Sequence, residues 1–202
     1  MSSTRKKRDK EFLRIYREKR DFKKTKEPFG ASTGKNKDMI FVIQKHDASS
    51  LHYDFRIEVN GKLKSWAVPK NLSTDPSEKR LAIQTEDHPL EYADFEGEIP
   101  EELYGSGKVI VWDAGTYEAI NDNENENNKS IEDALKDGEV KIRLNGRKLK
   151  GGYALINSTT GDKNEWLAIK LKDEEADARR NPVNTEPESV ISGKKIKEIG
   201  KE

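Results

Sequence analysis

Histidine is scarce in this 202-residue chain and unevenly placed. His46, His52 and His88 are all there is, and two of them stand in the block Gln44-Lys45-His46-Asp47-Ala48-Ser49-Ser50-Leu51-His52-Tyr53-Asp54-Phe55-Arg56. Neutral imidazole is the commonest side-chain metal ligand. From His52 to Val59 polar and apolar residues alternate without a slip, the period-two pattern of a strand. Tyr53, Phe55, Ile57 and Val59 would face a core, and His52, Asp54, Arg56 and Glu58 the opposite side. Same-face neighbours on a strand stand about 6.5–7 Å apart, so an imidazole and the next carboxylate can converge on one ion. Arg56 follows on that face, where its guanidinium can fork onto a phosphate or carboxylate. The pattern points to a metal-assisted hydrolase.

The elements that must position these groups are short strands. Met39–Gln44 is an apolar run bounded by turns. Asn60-Gly61 is a two-residue hairpin signal joining His52–Val59 to Lys62–Val68. Leu81–Thr85 reads as a strand broken by Glu86-Asp87-His88-Pro89, since proline cannot continue a ladder. Lys108–Asp113 and Thr116–Ala119 read as a hairpin across Ala114-Gly115. Ile131–Lys136 reads as a short helix. Val140–Leu144, a second Asn-Gly turn at 145–146, Tyr153–Ile156 and Trp166–Leu171 complete the set. So many short strands predict a mainly β protein, a small antiparallel β-barrel with a few short flanking helices.

Composition limits the rest. Charged residues make up 38% and hydrophobic ones 32%, so part of the chain is expected to lie outside the core. The expected division is a basic N-terminal arm over 1–19, a barrel domain over 20–172 and a polar, loose C-terminal tail over 173–202. Residues 1–26 hold twelve Lys or Arg against four Asp or Glu. Such an arm either contacts nucleic-acid phosphates or is a solvated tail. The Asn/Glu-rich stretch 121–130 reads as a disordered surface loop. Cysteine is absent, which excludes disulfides and zinc–thiolate sites and fits a cytoplasmic protein. No apolar run has the length of a signal peptide or membrane span, so no membrane partner is expected.

At this point the residues match a known pattern. Arg20-Asp21-Phe22 with Thr25 and Glu27-Pro28; Phe41 to Ala48 running on to Leu51-His52-Tyr53-Asp54-Phe55-Arg56; Leu63 to Lys70; Lys79-Arg80-Leu81-Ala82; Glu86-Asp87-His88-Pro89-Leu90 with Tyr92; Asp94 to Gly97; Tyr104-Gly105; Val109 to Asp113; and Lys148 to Gly152 occur in order. The chain resembles the 3′-phosphoesterase domain of bacterial DNA ligase D and its stand-alone archaeal and bacterial relatives. It departs from the usual pattern at Gln84-Thr85 and in the 121–130 insert. The resemblance implies a small β-barrel and a manganese-dependent enzyme acting on DNA or RNA–DNA primer 3′ ends that carry ribonucleotides. A phosphodiesterase step would leave a 3′-phosphate, and a phosphomonoesterase step would then expose a 3′-hydroxyl for sealing in end-joining repair. At this length, any DNA ligase or polymerase partner is expected to be a separate chain.

The resemblance also assigns roles. His46, His52 and Asp54 would be the metal ligands. From chemistry alone this donor set suits Mn²⁺, Fe²⁺, Co²⁺ or Zn²⁺ and leaves positions open for phosphate and water, with His46 alternatively a structural loop histidine. Arg56 and His88 would bind phosphate, with His88 also a proton donor to the leaving oxygen. Tyr92 would add a hydroxyl, or else be a core aromatic. Arg20, Asp21 and Glu27 match positions that matter for activity; their alternative is a charged helix end. Gln44, Arg80 and Glu86 are candidates for supporting the site or binding substrate, and Lys70 for touching the nucleic-acid backbone. Trp66 and Trp112 read as core. Two other functions compete. The His-x-Asp pair also begins the facial triad of non-haem Fe(II) oxygenases, and a non-catalytic nucleic-acid end binder could hold a structural metal.

Overall fold

A computed structural model describes residues 14–30, 39–120, 129–158 and 164–200. Most of the expected basic arm (1–13) and of the Asn/Glu-rich insert (121–128) lies outside them. Among the described residues nine strands form: β1 (Ile40–Asp47), β2 (Leu51–Glu58), β3 (Leu63–Val68), β4 (Lys79–Gln84), β5 (Gly97–Ile99), β6 (Gly107–Ala119), β7 (Glu139–Gly146), β8 (Lys150–Asn157) and β9 (Glu165–Lys170). All pairings are antiparallel. The order β1-β2-β3-β4-β9-β8-β7-β6 closes on itself because β6 also pairs with β1, giving an eight-stranded barrel with β5 added along β6. The expected mainly β barrel is therefore what forms. Helix occurs, among the described residues, at 14–18, Ile131–Lys136 and Pro182–Thr185. Among the described residues, no helix is long and apolar enough to cross a membrane.

The alternation of β2 fixes which side is inside. Tyr53, Phe55 and Ile57 join Phe41, Ile43, Trp66 and Trp112 in the barrel core. The opposite face of β2 is buried too, since Asp54, Arg56 and Glu58 are all nearly sealed from solvent. A second apolar cluster, built from Tyr16, Val42, Leu63, Tyr92, Phe95, Val109 and Val111, covers this outer wall. Its cover is the segment 14–30 and the 3-10 turn Leu90–Asp94, which the two-sided periodicity of β2 could not announce.

Three local expectations are corrected. Ala114-Gly115 is not a turn, because β6 runs unbroken through it. The outer edge of β6 pairs with β5 up to Val109 and with β7 from Gly115 onward. A Cβ on Gly115 would stand 2.2 Å from the Asn145 carbonyl oxygen, so glycine marks a close strand crossing. Asn145-Gly146 likewise lies inside β7, and the reversal follows at 147–149. There the buried Asp113 carboxylate accepts the backbone N–H groups of Arg147, Lys148 and Leu149 at 2.8–3.0 Å. By contrast Asn60 and Gly61, at φ 55° and 84°, form the expected hairpin turn.

The third correction is that the segment after Lys172 is packed. Trp112 Nε1 donates to the Glu186 carbonyl at 2.9 Å, Lys148 Nζ donates to the carbonyls of Glu186 and Glu188, and Thr74 Oγ1 reaches the Asp177 carbonyl at 2.9 Å. Ile196 and Ile199 bury against Ile110. The N-terminal boundary shifts as well, because Tyr16 is fully buried and its hydroxyl donates to the Pro28 carbonyl.

Gly115→Ala should lower stability by about 1–3 kcal/mol through overpacking against backbone. The check is a fall in urea midpoint with an unchanged slope, and a wild-type midpoint would remove the crossing argument.

Candidate active site

The site lies on the outer face of β1 and β2. Antiparallel register sets His46 directly opposite His52, and Gln44 opposite Asp54. The two imidazoles stand 4.8 Å apart between ring centroids. Asp54 lies between them, with His46 Nδ1 at 3.5 Å from Oδ2 and His52 Nε2 at 3.7 Å from Oδ1. One donor atom from each residue falls within 4.8 Å of the others. At bond lengths of about 2.0–2.2 Å, no two donors to one ion would stand more than about 4.4 Å apart, so a small contraction would close the set.

Two observations fit a metal beyond this proximity. His52 Nδ1 lies 2.9 Å from the Ser50 carbonyl. A ring N–H bound to a carbonyl fixes the tautomer that leaves Nε2 as the ligating lone pair. His46 Nε2 is buried and has no hydrogen-bond partner, an omission that normally carries a cost. The triad His46, His52 and Asp54 can thus hold one divalent ion. His46 belongs to a strand rather than a loop.

Arg56 ties this triad to a second cluster. Its Nη2 lies 3.1 Å from Asp54 Oδ2, its Nε donates to Gln44 Oε1 at 2.8 Å and its Nη1 to Ser65 Oγ at 2.8 Å. Gln44 is itself held by the carbonyls of Tyr92 and Phe95. Burial alone would raise the Asp54 carboxyl, but Arg56, His46 and His52 outweigh it and hold it well below the usual carboxylate range.

His88 sits between two guanidiniums. Its Nδ1 is 2.9 Å from the Glu86 carbonyl and 3.0 Å from Arg56 Nη1, and its Nε2 is 3.2 Å from Arg20 Nη2. A neutral ring donating from Nδ1 to Glu86 and accepting at Nε2 from Arg20 satisfies both ends. Burial, then Arg56 and Arg20, push its pKa well below the ordinary histidine value. Arg20 Nε donates to Glu27 Oε1 at 2.8 Å, and Tyr92 donates its hydroxyl to the same oxygen at 2.9 Å. Thr25 Oγ1 donates to Glu27 Oε2 at 3.1 Å.

The structure therefore brings His46, His52, Asp54, Arg56, His88, Arg20, Glu27, Gln44, Tyr92 and Glu86 into one connected cluster. Tyr92 is both a core aromatic and a hydroxyl donor, but its donor serves Glu27. Glu86 contacts Lys19 at 3.1 Å and Arg20 at 3.5 Å. Asp21 is exposed, and its carboxylate accepts the Lys23 amide within a turn. Arg80 pairs with Glu78, away from these contacts. Lys70 is exposed two residues beyond Val68, which pairs with Tyr53. Two members carry no catalytic signature in the sequence. Ser65 is signalled only by strand position opposite Arg56, and Tyr16, whose ring lies 3.9 Å beneath Arg20, only by an apolar spot in a charged segment.

His52→Ala and Asp54→Ala should each weaken divalent-metal binding, read by titration calorimetry, while the far-ultraviolet dichroism of the barrel persists. Unchanged affinity in either would remove the triad. His88 gives a separate pH signature. Because its pKa falls on folding, the unfolded chain takes up a proton below about pH 6.5 that the folded site refuses. Its contribution to stability is full above that pH and is lost as pH falls. His88→Gln should flatten the fall in urea midpoint from pH 6.5 to 5, measured without metal.

Comparison with known proteins identifies the family. Residues 44–157, more than half of the chain, match the model of the DNA ligase D 3′-phosphoesterase domain. The chain is 45% identical over 185 residues to the multifunctional non-homologous end joining protein LigD of Pseudomonas aeruginosa, covering 89% of this chain and 21% of that protein. It is 49% identical over 163 residues to the corresponding DNA repair protein of Mycobacterium tuberculosis, covering 80% and 20%. The chain thus spans about a fifth of the length of these relatives. On the family match over more than half of its length, the chain belongs to the DNA ligase D 3′-phosphoesterase domain family.

Proposed function

We propose that this protein is a manganese-dependent 3′-end-processing phosphoesterase of end-joining DNA repair, one that removes a terminal ribonucleoside and then the remaining 3′-phosphate. The observation that carries the reading is the sharing of Asp54 between the metal triad and Arg56. It would set the fixed Arg56 charge beside a metal held by the triad, where a phosphoryl group needs it. The oxygenase and non-catalytic alternatives have no comparable support. Co²⁺ and Zn²⁺ suit the same donors, and Mn²⁺ is the choice the family resemblance favours. A bound ion would supply Lewis acidity and a water of lowered pKa.

The chain's own groups account for the rest. Arg56, locked by Gln44 and Ser65, cannot swing away, so its positive charge is preorganised for the equatorial oxygens of the transition state. Arg20, braced by Glu27, faces the same point from the cover. His88 is neutral in the free site. An arriving phosphate drawing Arg20 onto its oxygens frees Nε2, and the phosphate's negative charge favours a proton there. His88 then holds a phosphate oxygen as an imidazolium or passes its proton to the departing 5′-oxygen. The phosphate-holding role is favoured, because Arg20 and Arg56 are already engaged by carboxylates. The product, a 3′-hydroxyl, is what a DNA ligase and polymerase consume.

A primer labelled at its 5′ end and terminating in one ribonucleotide tests the reading directly. Wild type with Mn²⁺ should yield first the 3′-phosphate and then the 3′-hydroxyl product, and no product would refute it. His88→Ala should keep Mn²⁺ affinity, raise KM and gain nothing from a nitrophenyl ester. Rescue by that ester, with a loss on the order of 10²–10⁴-fold on the primer, would make His88 the acid instead.

A further inference from the structure

Within the loop that follows β5, Tyr104 presents a large ring to solvent at 53% exposure. The loop is anchored. Leu103 packs against the second core, the Leu103 amide donates to the Pro100 carbonyl at 3.0 Å, and the Ser106 amide to Leu103 at 3.2 Å. Gly105, at φ 75°, completes the reversal. The ring is therefore held on a fixed turn.

Its neighbours lead to the catalytic cluster. The Lys19 ammonium lies 4.5 Å from the Tyr104 ring centroid and 3.1 Å from Glu86 Oε2. Glu86 Oε1 lies 3.5 Å from Arg20 Nη1, and Arg20 Nη2 lies 3.2 Å from His88. A line of contacts thus runs from an exposed aromatic, past a cation at the rim, to the buried phosphate site. Single strands are bound by this pairing of base-stacking aromatics with backbone-tracking cations.

We propose that Tyr104 is a stacking platform for a nucleobase next to the scissile phosphate, with Lys19 beside it for the backbone. This inference rests on the proposed nucleic-acid substrate. It makes Tyr104 a positioning residue for the strand and gives it no part in the chemistry. One face of the ring carries the Lys19 ammonium, and a base would take the face open to solvent.

The test uses the full chain and a fluorescent single strand ending in a 3′-phosphate, bound without divalent metal so that nothing turns over. Tyr104→Ala should weaken binding about 5- to 150-fold, the range for loss of one stacked base. Tyr104→Phe should bind within about twofold of wild type, because the stacking face remains. Wild type should bind a strand abasic at one of its last three positions as weakly as Tyr104→Ala binds the intact strand, and Tyr104→Ala should lose nothing further on the abasic strand. Nitrophenyl phosphate hydrolysis with Mn²⁺ should be unchanged in both variants. Equal affinity of wild type and Tyr104→Ala for the intact strand would overturn the platform, whatever the primer assay gives. A primer that is bound with the full Tyr104 dependence but never processed would overturn the proposed function and leave the platform standing.

Discussion

The buried chain of charge on the outer wall of β1 and β2 governs this structure. Asp54, Arg56, Arg20 and Glu27 have almost no exposed side-chain surface. An ion moved out of water costs several kcal/mol unless it is paired and hydrogen-bonded. Each member here is paired: Asp54 with Arg56, Arg56 also with Gln44 and Ser65, Arg20 with Glu27, and Glu27 also with Tyr92 and Thr25. His88 is the neutral link between the two guanidiniums. Many other features serve this chain. The second apolar cluster excludes water from it, and the bridge between Leu63 and His88 holds the imidazole against β3.

A one-residue slip of β2 against β1 would turn His52, Asp54 and Arg56 into the barrel. What prevents it is the opposite face. Tyr53, Phe55 and Ile57 fill the core only in the observed register, so the same alternation that packs the barrel aims the site.

That alternation is why the centre of the site was legible in the sequence. His52, Asp54 and Arg56 were placed on one face by period two, and their partner strand was recognisable as an apolar run, although it extends three residues further to carry His46. Ligand identity and the His88 role came from the family pattern. Spacing alone does not bring residue 88 beside residue 56, because their contact depends on the β2–β3 pairing and an isolated bridge. Asp21 and Arg80 matched the pattern yet serve local turns and pairs. The misread hairpins at Ala114-Gly115 and Asn145-Gly146 share one cause. Glycine between strand-like runs reads as a turn residue, whereas at both places it answers a lack of room for a Cβ, set largely by neighbours distant in sequence. The C-terminal segment reads as loose because much of its attachment runs through backbone carbonyls, which leave no trace in side-chain composition.

The matched family region begins at Gln44, whereas Arg20 and Glu27 come from the cover segment 14–30, outside the barrel. The candidate site is thus a seam between two parts of one chain. Barrel and cover meet as intramolecular partners, held at a high effective concentration by their covalent connection. An anion bound at the seam touches cations from both sides, so its binding free energy adds to that of their association. A ligand filling this seam would then act as a cross-link between cover and barrel.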